Sequence, residues 1–364
     1  MIRILRVSNH PSKKHHGVGL HPHKISETNK FETFFVSSFL TAEDSFLSPK
    51  NYTHKVSNIK FDKRPVNVSF LTTIFFHFKR IYKLIKFSIF CIKVGNKNKV
   101  EVVHIHSPMY LLVAVWGKLT GKTTCITYHG TDYLRIKDLK MYRFFSKKFI
   151  DIGFCISPHM IQKMQLNHNK IICTINGVDT SMFFNKGKER QKVLLAVGSL
   201  KKEKSYKNLI MSFKNIQENF PNHELHIAGD GHLKGELQLL VDNEGISEKV
   251  VFCGNLNKDQ LVNKYNTSEF FILSSYTEGF PKVVLEAIFC GCKVVATDVG
   301  SVNTFLPEEY IIPDDSIDNL SSYIVKIFKE NSYNIDVDDL KLKYTWSNVI
   351  KNYERIYKDN LQEC

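Results

Sequence analysis

The sequence predicts an α/β fold of two Rossmann-like domains whose parallel sheets face each other across a cleft. Three observations support this prediction. Short apolar runs alternate with longer helical patterns along the chain, as in βαβ units. The alternation restarts after a polar stretch, Phe184–Gln191, which is suited to a linker. The 364 residues suffice for two domains of roughly 100–200 residues each.

The predicted elements follow the chain in order. In the first half, strands are expected at Ile2–Val7, Val102–His106, Thr123–Tyr128, Ile150–Ile156 and Ile171–Ile175, and helices at Tyr110–Leu119 and Leu139–Lys148. In the second half, strands are expected at Lys192–Val197, Leu225–Ala228, Val250–Cys253, Phe270–Ser274 and Val294–Thr297, and helices at Asn208–Asn219 and Leu233–Asn243. Residues 39–60 have weak periodicity and receive no assignment. Because ligands of open α/β sheets bind beyond the carboxyl ends of the strands, motifs that follow strands are the candidates for function.

Composition restricts the partners and the cellular compartment expected for the protein. Fifty Lys and Arg against 36 Asp and Glu leave a net charge of +14, which attracts nucleic acid, anionic lipid or phosphorylated substrates. The eight cysteines include no CxxC pair and indicate reduced thiols in a cytosolic protein. The N-terminal MIRILRVSN is too short for a signal peptide, and no run of about 18 uncharged apolar residues occurs. We therefore expect a cytoplasmic protein that neither spans the membrane nor is exported.

The most specific motif is SSYTEGFPKVVLEA, which starts at Ser274. It follows a predicted strand and opens a helix, with Pro281 in the first helical turn and Gly291 at the stop. Glu278 then lies in the loop and Glu286 in the helix interior. Backbone N–H groups near Phe280–Val283 are expected to face an anion or a hydroxyl.

This segment resembles the E-x7-E signature of glycosyltransferase family 4, whose members are retaining enzymes of the GT-B fold. The matching positions are Glu278, Gly279, Phe280, Val283, Leu285, Glu286, Ala287, Gly291 and Val294–Thr297, and the departures are Pro281 and Lys293. The resemblance implies that Glu278 is catalytic and approaches the donor sugar, and that Glu286 holds the ribose of the nucleotide. It also implies donor contacts from the backbone of Phe280, Pro281, Lys282 and Val283.

Further matches occur in the family's order. Val197–Leu200 followed by Glu203 and Lys204 resembles VGRL-x-x-EKG, so Lys204 falls on the diphosphate-binding lysine. Ser199 replaces the usual arginine at this donor-binding turn, and Lys201, Lys202 or Lys207 are alternative cations. The alternative interpretation is a solvated lysine cluster that binds no ligand. The segments Ala228–Gly231, Val251–Gly254 and Asn176–Asp179 match the family's GDG turn, V-x-F-x-G strand end and NGVD turn.

In the first domain, Gly17 and Gly19 resemble the family's glycine loop, whose backbone approaches the donor phosphates. His104 and His106 share one face of a strand, but no Cys or acidic set at ligand spacing accompanies them, so no metal site is predicted. His129, in YHGTD, is the second catalytic candidate. It would contact the donor sugar or the acceptor, or it is a satisfied histidine at a strand end.

The resemblance implies three segments. Residues 1–185 would form the acceptor-binding domain, 186–343 the nucleotide-sugar-binding domain, and 344–364 a C-terminal helix that crosses back to the first domain. The expected activity is retaining transfer from a nucleotide-diphosphate sugar to a glycan or polyprenyl-linked acceptor, in lipopolysaccharide O-antigen, capsule or exopolysaccharide synthesis. No acidic DxD stands at a strand end, so metal-independent catalysis without a cofactor is predicted, and EDTA should leave the activity intact.

Residues 70–94 are the candidate membrane element. Aromatic and aliphatic residues alternate with cations at helical spacing, as in helices that lie on anionic membranes. A core-facing helix with snorkelling lysines is the competing interpretation.

Three other functions remain open at this point. A nucleotide-sugar epimerase shares the architecture but lacks the EGF-x-x-V-x-LEA pattern. A nucleic-acid-binding protein would fit the charge, but no RRM, zinc-finger or helix-turn-helix signature occurs, so nucleic acid is not expected as a partner. A non-catalytic family member is the third alternative, because of Ser199.

Overall fold

The computed structural model describes residues 1–8, 20–38, 52–61, 70–129, 140–156, 161, 170–174, 176–329 and 333–362. The chain divides into two compact units, Met1–Asn176 with Trp346–Cys364, and Gly177–Thr345. Each unit contains one parallel sheet with helices packed on it, which confirms the predicted α/β class.

The elements of the first unit come mainly from the first half of the chain. They are β1 (Ile2–Ser8), α1 (Leu20–Lys24), β2 (Phe31–Ser37), β3 (Thr53–Val56), α2 (Phe70–Lys97), β4 (Val102–Ile105), α3 (Leu111–Leu119), β5 (Thr123–Tyr128), α4 (Lys140–Phe149), β6 (Ile152–Cys155) and β7 (Lys170–Cys173). The seven strands lie in the order β3-β2-β1-β4-β5-β6-β7.

The second unit repeats the pattern. Its elements are β8 (Gln191–Val197), α5 (Tyr206–Gln217), β9 (Glu224–Ala228), α6 (Lys234–Asn243), β10 (Val250–Gly254), α7 (Lys258–Thr267), β11 (Ser268–Leu273), α8 (Lys282–Phe289), β12 (Lys293–Thr297), β13 (Ile311–Ile312), α9 (Ile317–Lys329) and α10 (Val337–Tyr344). The six strands lie in the order β10-β9-β8-β11-β12-β13. The helix α11 (Trp346–Gln362) then returns to the first unit.

The sheet of the first unit is covered on both faces. Successive residues of a strand point to opposite faces, so Leu5 and Val7 join one core cluster and Ile4 joins the other. The first cluster includes Phe87 of α2 and Val113 of α3. The second is formed with α11, through Trp346, Val349, Tyr353, Ile356 and Tyr357. The helix α11 therefore completes the core of the first unit.

The boundaries of the units differ from the predicted ones. The divisions fall at 176/177 and 345/346 rather than at 185/186 and 343/344. The reason is local pairing, because the N–H of Val178 donates to the carbonyl of Tyr344 at 2.7 Å and Val178 forms a parallel bridge with Thr345. The segment after Gly177 is thereby part of the second unit.

Two further findings bear on the sequence-based expectations. The seven cysteines in the described part of the chain are free thiols. Across the described ranges, no helix combines the length and the apolar character that a bilayer crossing requires.

Candidate active site

The centre of the site is formed where two loops meet at the carboxyl ends of the neighbouring strands β8 and β11. The hydroxyl of Ser274 donates to the carbonyl of Lys204 at 2.8 Å. The N–H of Tyr276 donates to the carbonyl of Glu203 at 3.1 Å. These bonds fix the loop that follows β11 against the turn that follows β8, which is where α/β sheets place their ligands.

At this junction Lys204 and Glu278 form an ion pair between Nζ and Oε1. The hydroxyl of Ser275 donates to the same carboxylate oxygen at 2.9 Å. The side chains of Lys204 and Glu278 are 20% and 16% exposed, so solvent reaches the pair without surrounding it. The structure thus brings together the residue predicted for the diphosphate and the residue predicted for the sugar.

The other members of the lysine cluster behave differently. Lys201, Lys202 and Lys207 are exposed, whereas Lys204 is half-buried. A uniformly solvated cluster therefore does not describe Lys204. Ser199 is exposed, and its carbonyl accepts the N–H of Lys201 at 2.8 Å.

Close backbone packing holds the turns around Lys204 and Glu278. A Cβ added to Gly229, whose φ is +145°, would lie 1.9 Å from the carbonyl oxygen of Gly198. A Cβ on Gly300, whose φ is +62°, would lie 2.6 Å from the carbonyl oxygen of Gly279. Only glycine permits such approaches, and the GDG turn is therefore a packing requirement for the loop that carries Lys204.

The start of α8 corrects one expectation. Pro281 is the N-cap rather than part of the first helical turn, and the helix begins at Lys282. The N–H of Lys282 donates to the carbonyl of Phe280 at 3.0 Å. This N–H, one of those expected to face a ligand, is therefore hydrogen-bonded within the turn. The ring of Phe280 is buried and packs against Phe305 and Tyr344. Val283 is half-buried in the first turn of α8.

Glu286 lies on the buried side of α8 and is 8% exposed. The hydroxyl of Tyr265 donates to its Oε2 at 3.3 Å. Burial raises the pKa of the Glu286 carboxyl, an effect that the charge of Lys282 and the hydrogen bond from Tyr265 oppose. Glu286 is therefore a buried carboxyl with a single hydroxyl donor, in contrast to the ion-paired Glu278.

The first unit contains a second set of polar side chains, in β4 and just beyond its carboxyl end. His104 and His106 stack with ring centroids 4.3 Å apart, which confirms that they share one face of the sheet. Both ring nitrogens of His104 have partners: Nε2 lies 2.8 Å from the hydroxyl of Thr127, and Nδ1 lies 2.5 Å from that of Tyr357. Within the described part of the chain, neither ring nitrogen of His106 has a hydrogen-bond partner, although the residue is 1% exposed. Leaving such a buried polar group unpaired costs on the order of 1–3 kcal/mol.

Two more histidines surround His106. Its ring centroid lies 5.8 Å from that of His21 and 5.9 Å from that of His129, and the last two are 5.5 Å apart. Burial lowers the pKa of His129 to about 4 and that of His106 well below its usual value, so both are neutral at pH 7. His129 is thus a buried group within a histidine cluster and not an isolated strand-end residue.

The helix α11 contacts this cluster through Tyr353. This contact was not predicted from the sequence. The hydroxyl of Tyr353 lies 2.9 Å from that of Thr174 and 3.3 Å from Nε2 of His21. Gly17 and Gly19, predicted to approach the donor phosphates, lie outside the described residues.

Comparison with known proteins identifies relatives of this chain. The chain is similar to a component of the phosphatidylinositol N-acetylglucosaminyltransferase of Arabidopsis thaliana, with 25% identity over 290 residues, 74% of this chain and 64% of that protein. It is 28% identical over 209 residues, 54% of this chain and 53% of that protein, to the N-acetylgalactosamine-N,N'-diacetylbacillosaminyl-diphospho-undecaprenol 4-alpha-N-acetylgalactosaminyltransferase of Campylobacter jejuni. The chain therefore spans less than two thirds of the length of either relative.

The fold is also that of a solved structure, Anabaena HepE in complex with UDP, with a TM-score of 0.76 and 14% identity over 98% of this chain and 100% of that one. Two family models match the sequence itself. Residues 49–182 match Glycosyltransferase Family 4, and residues 178–339 match Glycosyl transferases group 1. The two matches together extend from residue 49 to residue 339, and the chain belongs to the group 1 glycosyltransferases of family 4.

Proposed function

We propose that the chain is a retaining glycosyltransferase that moves a sugar from a nucleoside-diphosphate sugar to a glycan or polyprenyl-linked acceptor. The observation that carries the proposal is the meeting of Lys204 with Glu278 at the ends of β8 and β11. A cation and a carboxylate in contact, both partly exposed, match the two charges that develop when a sugar leaves a diphosphate.

The proposed chemistry follows from those charges. The bond between the anomeric carbon and the diphosphate oxygen breaks, and the electron pair stays on the diphosphate. Lys204 stabilises this negative charge, and Glu278 is the carboxylate nearest the oxocarbenium-like carbon. The acceptor oxygen bonds to that carbon on the face that the diphosphate left, and its proton passes to the departing phosphate oxygen. NMR of the product tests retention directly, through the anomeric configuration.

The rest of the second unit would bind the nucleotide. We assign the ribose hydroxyls to Glu286, and the donor phosphates and sugar to the turn at Ser199 and to the backbone of Phe280, Pro281, Lys282 and Val283. The first unit would bind the acceptor, and His129 is the residue that we assign to it. No divalent ion on the diphosphate is part of this scheme, because Lys204 supplies the positive charge there.

A lipid-linked acceptor is supported by two observations. The names of both relatives contain a lipid, phosphatidylinositol in one and undecaprenol in the other. The second observation is the amino-terminal half of α2, in which none of the described side chains from 72 to 86 is buried. Among the described residues, this half of α2 contributes no buried side chain to a core, which favours the membrane interpretation over the core-facing one.

The exposed large hydrophobic residues of α2 form one stripe at helical spacing. They are Ile74, Phe75, Phe78, Ile81, Tyr82, Ile85 and Ile89, and Phe75 and Phe78 are 69% and 68% exposed. Five cations, Lys79, Arg80, Lys83, Lys86 and Lys93, accompany the stripe. The helix α4, which packs on α3, also has exposed Met141 and Phe144. A helix with this composition binds the interface of an anionic bilayer through apolar insertion and roughly 1 kcal/mol per nearby cation.

Together these features support an enzyme on the cytoplasmic face of the cell membrane that extends a lipid-linked precursor of lipopolysaccharide O-antigen, capsule or exopolysaccharide. The first test is a thermal-shift panel of UDP, GDP, ADP, dTDP and CMP, followed by their sugars. A nucleotide at 100 times its dissociation constant should stabilise the fold by roughly 2.7 kcal/mol. A shift with one base that is lost in Glu286→Ala and Lys204→Ala supports the proposal, and no shift with any of the five contradicts it.

A further inference from the structure

The residue that joins the Lys204 turn to α5 has a strained backbone. Ser205 has φ +52° and ψ +33°, in the left-handed region that residues other than glycine rarely adopt. Within the described part of the chain, it is one of three non-glycine residues with a positive φ. Such a conformation persists only where the surrounding structure determines it, so a contact of Ser205 must hold it in place.

That contact comes from Asp315, in the segment between β13 and α9. The hydroxyl of Ser205 donates to Oδ2 of Asp315 at 2.5 Å. A serine at the N-cap of a helix usually accepts a bond from a backbone N–H of the first turn, but the Ser205 side chain makes no such bond to α5. Nδ2 of Asn208, in the first turn of α5, donates to the carbonyl of Asp315 at 2.9 Å. Asp315 is therefore bonded both to the strained residue and to the helix that follows it.

The position of Asp315 is fixed by packing that does not involve Lys204. The helices α5 and α9 pack against each other, and α9 begins two residues after Asp315. The hydroxyl of Ser212 in α5 donates to the carbonyl of Ile317, the first residue of α9, at 3.0 Å. Asp315 is thus a fixed point to which the backbone of Ser205 is attached.

The course of the Lys204 side chain depends on this attachment. Because α5 is held in the core, φ and ψ of Ser205 set the direction of the preceding turn, Lys202–Lys204, relative to the helix. The stem of Lys204 passes close to Gly198, where an added Cβ would lie 3.2 Å from Cε of Lys204. Nζ then pairs with Glu278. Another conformation at Ser205 would turn Lys204 away from this course.

We propose that Asp315 is a positioning residue for the donor site. Through Ser205 it holds the turn that directs Nζ of Lys204 towards the diphosphate. The inference rests on the proposed function, which assigns the diphosphate to Lys204. Asp315 acts through Ser205 and does not touch the donor itself.

The experiment measures the nucleotide affinity of the full chain by calorimetry, with UDP, GDP, ADP and dTDP as probes. Asp315→Ala and Ser205→Ala both remove the hydrogen bond and leave a side chain that resists the left-handed conformation, so affinity should fall about tenfold. Ser205→Gly also removes the bond, but glycine adopts the conformation freely, so affinity should stay within about threefold of the wild type. For the same reason, Ser205→Gly added to Asp315→Ala should restore the affinity. A bond that only stabilised the fold would not be replaced by glycine.

Asp314→Ala is the matched control. The carboxylate of Asp314 accepts the N–H of Ser316 and the side-chain amide of Asn319 at the start of α9, so its loss removes a helix cap without touching Ser205. Nucleotide affinity should be unchanged. Wild-type affinity in Asp315→Ala and Ser205→Ala overturns the proposal, and so does a Ser205→Gly variant as weak as Ser205→Ala. If circular dichroism shows that Asp315→Ala does not fold, the two Ser205 variants provide the comparison.

Failure of the donor assignment is recognised separately, by a wild-type chain that binds none of the four probes. A crystal structure of Asp315→Ala then decides whether Asp315 positions Lys204. We expect Ser205 to leave the left-handed region and the pair between Lys204 and Glu278 to separate. An unchanged pair would overturn the inference.

Discussion

Lys204 and Glu278 are 74 positions apart in the chain and form an ion pair in the folded second unit. They meet because β8 and β11 are neighbours in the sheet and both residues follow the carboxyl ends of these strands. In the absence of donor, each side chain neutralises the other. Donor binding would replace Glu278 with a diphosphate as the partner of Lys204 and release the carboxylate towards the sugar.

The pair predicts different effects for its two members. Lys204→Ala would remove the proposed charge-assisted contact to the diphosphate, so nucleotide affinity should fall about 10- to 100-fold. Glu278→Gln should retain nucleotide binding while transfer falls on the order of 100-fold or more. Titration calorimetry with the nucleotide and a product assay measure the two. Lys202→Ala, which changes an exposed neighbour, is the control, and equal losses in Lys202→Ala and Lys204→Ala would refute the assignment.

Glu286 predicts a pH dependence of stability. Burial raises the pKa of its carboxyl above the usual 4.5, so the folded chain binds a proton that the unfolded chain releases. This contribution is complete below pH 4.5 and is lost as pH rises through the folded pKa. Relative to Glu286→Gln, the wild type should therefore lose stability as pH rises from 4.5 towards neutrality. Thermal unfolding of both proteins across this range measures the difference, and parallel curves would argue against a raised pKa.

The turn at Gly229 predicts sensitivity to a single methyl group. Gly229→Ala combines a positive φ with a contact of 1.9 Å to the carbonyl oxygen of Gly198, so we expect a loss of at least about 1–3 kcal/mol. Gly235→Ala is the matched control, because a Cβ there meets nothing within 4 Å and should change stability by less than about 1 kcal/mol. Urea unfolding compares them. Similar stabilities of the two variants would mean that the turn is not tightly packed.

The stripe on α2 predicts binding to anionic vesicles. Phe75→Ala combined with Phe78→Ala removes two exposed rings and should reduce partitioning at least about tenfold. Leu239→Ala combined with Leu342→Ala removes two exposed leucines of the second unit, 64% and 70% exposed, and should have no effect. Co-sedimentation with phosphatidylglycerol vesicles measures the partitioning. A wild-type chain that stays in the supernatant would remove the membrane proposal.

The positive charge at Lys204 predicts that transfer does not require Mg²⁺ or Mn²⁺. In the proposed scheme, Lys204 at the diphosphate takes the place of the ion that acidic motifs hold in other transferases. Initial rates should be the same with and without added Mg²⁺ or Mn²⁺, and EDTA should leave them unchanged. A rate that depends on either added ion would place a metal at the donor phosphates and contradict the scheme.

The sequence was most informative about the second unit, where short apolar strands end in glycine turns. The predicted strand Leu225–Ala228 is observed as Glu224–Ala228, and the helix Leu233–Asn243 as Lys234–Asn243. Lys204 and Glu278 were both predicted to follow strands, and residues after neighbouring strands of a parallel sheet converge, but an ion pair between them was not predicted. The missing information was the strand order. A single sequence does not reveal that β8 and β11 are neighbours, and this is what places Lys204 beside Glu278.

The first unit was harder to predict for a physical reason. β2 was not predicted, and β3 lies in the segment with weak periodicity, where its exposed and half-buried residues alternate. The histidine cluster was missed because His21 has no motif of its own and meets His106 only through the fold. His104 and His106 were correctly placed on one face, yet the partners of His104 come from Thr127 and the distant α11.

The return of α11 to the first unit affects the order in which the chain folds during synthesis. One of the two core clusters of the first unit depends on residues from Trp346 onward, including the buried Tyr353 and Tyr357. The first unit therefore cannot close its core until the ribosome has made the whole second unit. The second unit, Gly177–Thr345, is continuous and can fold as soon as it emerges. In a nascent chain stalled before residue 346, the second unit should therefore be folded while the core of the first unit is still incomplete. The exposed apolar surface of the first unit would then be bound by chaperones.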